Sequence, residues 1–153
     1  MEKALSNITV LDLTRVLAGP YCTMMLADYG ANVIKIEMPG KGDDTRAMGP
    51  KKNDYSMYYA YVNRGKKGIT LNLKSEEGKK LFLEMVKKAD VVVENYRPGV
   101  MDKLGVGYDV LKEAVESIFH GQMLDEHFLM MVATVGACAW SGYSGASCNV
   151  YWS

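Results

Sequence analysis

The sequence predicts an α/β protein whose mostly parallel sheet is doubly wound by helices, and three observations carry that expectation. Short β-rich runs alternate with segments of helical periodicity, in the order strand, helix, strand, loop, strand, helix, strand. Val91-Val92-Val93 is apolar throughout, as a strand covered on both faces must be. Gly and Pro fall where helices start and stop, at Gly19-Pro20 and at Gly30.

The first strand is read over residues 8–13 (ITVLDL). Pro20 suits the first helical position, where its missing N–H costs nothing, so a helix follows over residues 21–29 with Gly30 ending it. Residues 32–37 (NVIKIE) form the second strand. Residues 38–54, rich in Gly, Pro, Asp and Lys, read as one long loop, a length that in a compact domain marks function or disorder. Residues 55–62 make a short helix with three of its four tyrosines on a mostly buried face, and residues 69–73 (ITLNL) alternate as the third strand. Ser75 caps the next helix, with Glu76 and Glu77 in its first turn. Leu81, Phe82, Met85 and Val86 recur at helical spacing, and Lys87-Lys88 close the helix at its negative end. Val91-Val92-Val93 is the fourth strand.

The chain has 153 residues, one domain's worth, and is 48% hydrophobic, which is too apolar for a disordered chain. Its formal net charge is zero, so no basic field points to nucleic acid or to an anionic membrane. Three cysteines, Cys22, Cys138 and Cys148, are too few and too scattered for a disulfide framework or a zinc site. The first residues lack the apolar core of a signal peptide, and no apolar run reaches the ~18 residues of a spanning helix. A cytoplasmic protein is expected.

The composition breaks near residue 113. All 18 basic residues and 15 of the 18 acids precede Ala114, a net charge of +3, whereas the tail carries only Glu116, Asp125 and Glu126. His120, Asp125, Glu126 and His127 match no ligand spacing, so no metal is expected there. Two parts are therefore expected, residues 1–113 and an atypical tail of residues 114–153.

In doubly wound sheets ligands bind beyond the carboxyl ends of the strands, where strand order reverses. Gly19-Pro20 at a helix start is either a seat for phosphate or carboxylate or simply a tight turn. Glu37 stands where a dinucleotide fold has its ribose-binding acid, but the first turn lacks G-x-G-x-x-G, which disfavours NAD. Arg64, Lys66 and Lys67 either hold phosphates or form a solvated turn, and Arg46 poses the same choice. Asn95, Tyr96 and Arg97 follow a buried strand and face the crevice. Cys22 is either a low-pKa thiol or, more commonly for its kind, a small buried one. The residues alone reach an α/β domain for an anionic, nucleotide-like ligand.

Taken in order, these loops resemble the family III CoA-transferases, which include formyl-CoA and carnitine CoA-transferases. The matching segments are residues 10–20 (VLDLTRVLAGP), 30–37 (GANVIKIE), 42–46 (GDDTR), 63–67 (NRGKK) and 71–74 (LNLK), then 89–91, 93–99 (VENYRPG) and 104–105. The likeness covers residues 4–113 and is shared in part by α-methylacyl-CoA racemases, although residues 55–67 look more like the transferase branch. It implies the N-terminal, Rossmann-like part of a coenzyme A site. Val16, Leu17 and Ala18 would line the cleft near the thioester, and Met38 would lie by the adenine. Leu71, Leu73 and Lys74 would flank the nucleotide, with Arg46 a further contact, and Asn95, Tyr96 and Lys103 would meet the pantetheine and phosphate region. Leu17 stands where formyl-CoA transferase often has Gln, and Met38 where Arg is frequent, and both argue against formate or oxalate.

The resemblance further implies transfer of coenzyme A from an acyl-CoA thioester to a carboxylic acid through an aspartyl-enzyme intermediate, covalent catalysis by a carboxylate without a metal. Family chains are more than twice as long and form interlocked homodimers, and their nucleophilic Asp lies downstream of the matched segments. This chain is accordingly expected to be truncated and inactive alone, with no catalytic residue of its own and a tail produced by frameshift or truncation. The alternatives are a non-catalytic module for coenzyme A or a nucleotide, and the racemase branch.

Overall fold

The computed structural model describes residues 3–119 and 149–152. In chain order these form β1 (Thr9–Asp12), α1 (Ala18–Asp28), β2 (Asn32–Glu37), β3 (Lys51–Lys52), β4 (Tyr55–Ser56), α2 (Met57–Val62) and β5 (Lys67–Thr70). They continue with α3 (Glu76–Val86), β6 (Val91–Glu94), α4 (Val100–Leu104), α5 (Tyr108–Phe119) and β7 (Asn149–Trp152). The main sheet has the order β5-β2-β1-β6-β7. Its first four strands are parallel, with Leu11 opposite Ile34 on one side and Val92 on the other, and β7 runs antiparallel to β6. This is the mostly parallel α/β sheet expected from the sequence.

The pleat sorts the strand residues between two cores, because successive side chains point to opposite faces. Val10, Val33, Val91 and Val93 pack with Ala27 of α1 on one face. Leu11, Leu13, Ile36 and Val92 pack on the other with Phe82 and Val86 of α3 and Leu111 of α5. Helices thus cover both faces, and β6, buried at all four positions, shows why its sequence is unbroken valine up to Glu94. Phe82 is fully buried, worth roughly 2–3 kcal/mol of transfer free energy. Ser75 caps α3 as expected, its hydroxyl accepting from the Gly78 N–H at 3.1 Å.

Four local expectations need correction. Residues 38–54 are not one loop: they contain a 3₁₀ turn at Asp44–Ala47 and the first strand and turn of a hairpin of β3 with β4, whose second strand takes the first two residues of the helix expected over residues 55–62. Asn53 and Asp54 form the hairpin's two-residue turn with φ of +50° and +64°, the left-handed pair that primed hairpin turns require. The tyrosines near α2 are not on a buried face, for only Val62 of that helix is buried and Tyr61 is exposed, the helix being too short to lay a full face on the sheet. β5 starts two residues earlier than its alternation suggests, because pairing with β2 sets its register at Lys67–Thr70; Leu73 is buried against the α3 side after the strand has ended. Finally, α1 begins at Ala18, so Pro20 sits third in the helix, still within the first turn, whose N–H groups lack intrahelical partners. His120, Asp125, Glu126, His127 and most of the tail lie outside the described residues. Among the described residues no helix is long and apolar enough to cross a membrane.

Candidate functional site

β1, β2 and β5 succeed one another to one side of the sheet, whereas β6 lies on the far side of β1. Strand order therefore reverses between β1 and β6, and the segments leaving their carboxyl ends bound the crevice where such sheets bind ligands. From β1 emerges Thr14-Arg15-Val16-Leu17, and from β6 Asn95-Tyr96.

Asn95 joins the two segments. Its Oδ1 accepts the Arg15 N–H at 2.8 Å and its Nδ2 donates to the Arg15 carbonyl at 2.8 Å. The next residue, Val16, has φ of +69°, a left-handed conformation that a β-branched side chain resists. Its N–H donates to Asp43 Oδ1 at 3.3 Å. Val16 and Leu17 are 40% and 50% exposed, so apolar side chains face solvent at the crevice. α1 then starts without a side-chain cap, and the close approach of Thr14 to it requires glycine, since a Cβ at Gly19 would stand 2.4 Å from Thr14 Cβ.

Beneath this loop lie two lysines whose side chains are 1% exposed. Lys35, on β2, donates to the Thr14 carbonyl at 2.8 Å and pairs with Asp43 Oδ2 at 3.0 Å. Lys66 donates to Asp12 Oδ2, the Pro20 carbonyl and Asn63 Oδ1, each at 2.9 Å. Asp12 also accepts from the Thr14 N–H at 2.9 Å and the Thr23 hydroxyl at 2.7 Å. Burial lowers the Lys66 pKa despite the adjoining Asp12 carboxylate. For Asp43, burial acts upward, but the Thr45 N–H and the Lys35 ammonium outweigh it and hold the carboxyl below its ordinary value.

The segment after β2 is fastened by Glu37. Arg46 grips it through Nε at 2.7 Å and Nη2 at 2.8 Å, while the Tyr59 hydroxyl and the Asp43 N–H donate to the same carboxylate. Arg46 also lies 3.9 Å from the Tyr59 ring centroid. Burial pushes the Glu37 carboxyl up, but these donors bring it down to about 2. Glu37 is thus 7% exposed with both oxygens engaged, a clamp on its own loop and not an acid open to a ribose.

The nominated residues follow the carboxyl ends of all four parallel strands: Val16, Leu17 and Ala18 after β1, Met38 and Arg46 after β2, Leu71, Leu73 and Lys74 after β5, Asn95 and Tyr96 after β6. Lys103 sits on α4, beyond the β6 loop. Met38 is 48% exposed, and Lys74 and Lys103 are exposed. Leu73 is buried among Ile36 and Phe82, and Tyr96 is half-buried against the same core. Of the basic run, only Lys66 turns inward; Arg64 pairs with Asp28, and Lys67 Nζ donates to Asn32 Oδ1 at 2.6 Å. Burial raises the Cys22 pKa, with Asp12 adding to it, which fits the small, unreactive thiol. Sequence reasoning missed Asp12, Lys35 and Asp43 and left Lys66 undecided. The available signal for two of them was a charge inside an apolar run, Asp12 in VLDL and Lys35 in VIKI; Asp43 and Lys66 lie among other charges and carried none.

CoA-transferase family III matches the chain over residues 5–123. Acetyl-CoA:oxalate CoA-transferase of Acetobacter aceti is 59% identical over 105 residues, 69% of this chain and 27% of its own. Human succinyl-CoA:glutarate CoA-transferase is 49% identical over 119 residues, 77% of this chain and 27% of its own. A crystal structure of a CAIB/BAIF family protein from Brucella suis superposes with a TM-score of 0.69 at 41% identity, over 74% of this chain and 31% of that one. The chain spans about a quarter of the length of the curated relatives it matches.

Proposed function

Because the chain belongs to CoA-transferase family III, we propose that it supplies the N-terminal, coenzyme A-binding part of an enzyme moving coenzyme A from an acyl-CoA thioester to a carboxylic acid. The observation that supports this most is that the nominated contacts follow the carboxyl ends of β1, β2, β5 and β6, with the strand-order reversal between β1 and β6. In this reading Val16, Leu17 and Ala18 border the thioester, Met38, Arg46, Leu71, Leu73 and Lys74 the nucleotide, and Asn95, Tyr96 and Lys103 the pantetheine and phosphates. Lys74 and Lys103 are exposed cations suited to phosphate. An aspartate supplied by the remaining part of the enzyme attacks the thioester carbonyl, forming an acyl-aspartyl anhydride and expelling coenzyme A thiolate; the thiolate then attacks the aspartyl carbonyl, releasing the donor acid as its carboxylate and leaving an aspartyl thioester for the acceptor carboxylate. The enzyme acts in the cytoplasm as a homodimer. Residues 1–113 carry the segments that resemble the family and residues 114–153 are read as a distinct tail, although the family match runs on to residue 123.

The test is isothermal titration of the cooperatively folding chain with coenzyme A. Saturable binding weakened by Asn95→Ala or Lys74→Ala supports the reading, and no binding by a folded chain overturns it.

A further inference from the structure

We infer that Lys35 and Lys66 are positioning residues: together they fix the main chain of residues 14–20 so that Val16 is held left-handed against the thioester end of coenzyme A. The inference rests on the coenzyme A reading and goes beyond it, since neither lysine is among the contacts proposed there.

Three observations carry it. A valine at φ of +69° persists only where its surroundings over-determine it. Here each lysine reaches a main-chain carbonyl of that segment from below, Lys35 at Thr14 and Lys66 at Pro20, both on ammonium groups sealed from water. Each is also tied to an aspartate that fastens the same segment: Asp43 takes the Val16 N–H, and Asp12 takes the Thr14 N–H. The anchors thus alternate along the loop, with Asn95 closing the gap at Arg15. Apolar packing would bury the strands equally well without fixing these carbonyls. What the lysines add is the orientation of the peptide units flanking Val16, which decides where its side chain and the start of α1 meet a ligand.

Two variants loosen the loop differently. Val16→Gly removes the backbone strain while leaving both lysines. Lys66→Met with Asp12→Asn removes both buried charges together, so that neither is left alone. Each is titrated with acetyl-CoA and with adenosine 3′,5′-bisphosphate, which has the nucleotide but no thioester. Both variants are expected to unfold cooperatively and bind the nucleotide as the parent does, while acetyl-CoA affinity falls about tenfold. Equal weakening of both ligands, or of neither, overturns the inference while leaving the coenzyme A reading in place. A folded parent that binds neither ligand overturns that reading. Amide exchange then tests the clamp alone: faster exchange at Arg15 and Val16, whose N–H groups keep Asn95 and Asp43 as acceptors in the double variant, with β2 and β6 unchanged, supports it, and unchanged exchange overturns it.

Discussion

Asn95 holds the main chain of Arg15 from both sides, accepting its N–H and donating to its carbonyl, each at 2.8 Å across a sequence separation of 80 residues. One amide side chain thereby substitutes for a further rung of sheet beyond the point where β1 and β6 have stopped pairing. Asn95→Ala removes both bonds from a half-buried site. It should cost about 2 kcal/mol in urea unfolding; an unshifted midpoint would show that the pair contributes nothing.

The buried pair of Lys66 and Asp12 should behave asymmetrically. Lys66→Met alone strands the Asp12 carboxylate without its cation and should cost about 3–5 kcal/mol. Adding Asp12→Asn should recover at least about 1 kcal/mol of that loss, a coupling read from a double-mutant cycle of unfolding free energies. Simple additivity would mean that the two charges do not interact.

Glu37 should give the protein part of its acid sensitivity. Its carboxyl titrates at about 2 in the folded protein against an ordinary value of 4.5. A carboxylate depressed in this way stabilises the fold fully above about pH 4.5, and that contribution disappears as pH falls toward 2. Glu37→Gln should therefore lower stability at pH 7 by on the order of 2 kcal/mol and narrow its gap to the parent below pH 4. A gap that stays constant between pH 7 and pH 3 would contradict the assignment.

Gly19→Ala should destabilise the protein although alanine is the better helix former by about 1 kcal/mol. The added methyl would overlap Thr14 Cβ, separated by 2.4 Å, and Thr14 is itself pinned by Asp12 and Lys35. A net loss of about 1–3 kcal/mol is expected in thermal unfolding, and a stabilised variant would show that the turn yields freely.

How much of this was legible in the sequence depended on how local the cause was. β2 can be read to the residue, because its ends are set by Gly30 and by the Gly-rich loop beside it. The hairpin of residues 51–56 was also legible in principle, since Asn53-Asp54 is a pair that tolerates left-handed backbone. The start of β5 was not, since its neighbour β2 fixes it and no residue of its own does. The candidate site divides the same way. The loops could be named from position, but the inward turn of Lys66 depends on Asp12, 54 residues away, and the occupation of Glu37 depends on Tyr59. A lysine in a charged run reads as solvated until its partner's location is known.

The reversal of strand order also has a consequence for how the chain acquires this shape during synthesis. β1, β2 and β5 can add to one another in the order in which they leave the ribosome, whereas β6 must return past both of the others to reach β1. Closing that contact spans some 80 residues, a separation that slows folding. Until it closes, the inner edge of β1 offers unpaired main-chain groups, and Arg15 has no amide to meet. A nascent chain that stalls short of residue 95 would therefore display an adhesive strand edge, making this interval the one in which a chaperone has most to protect.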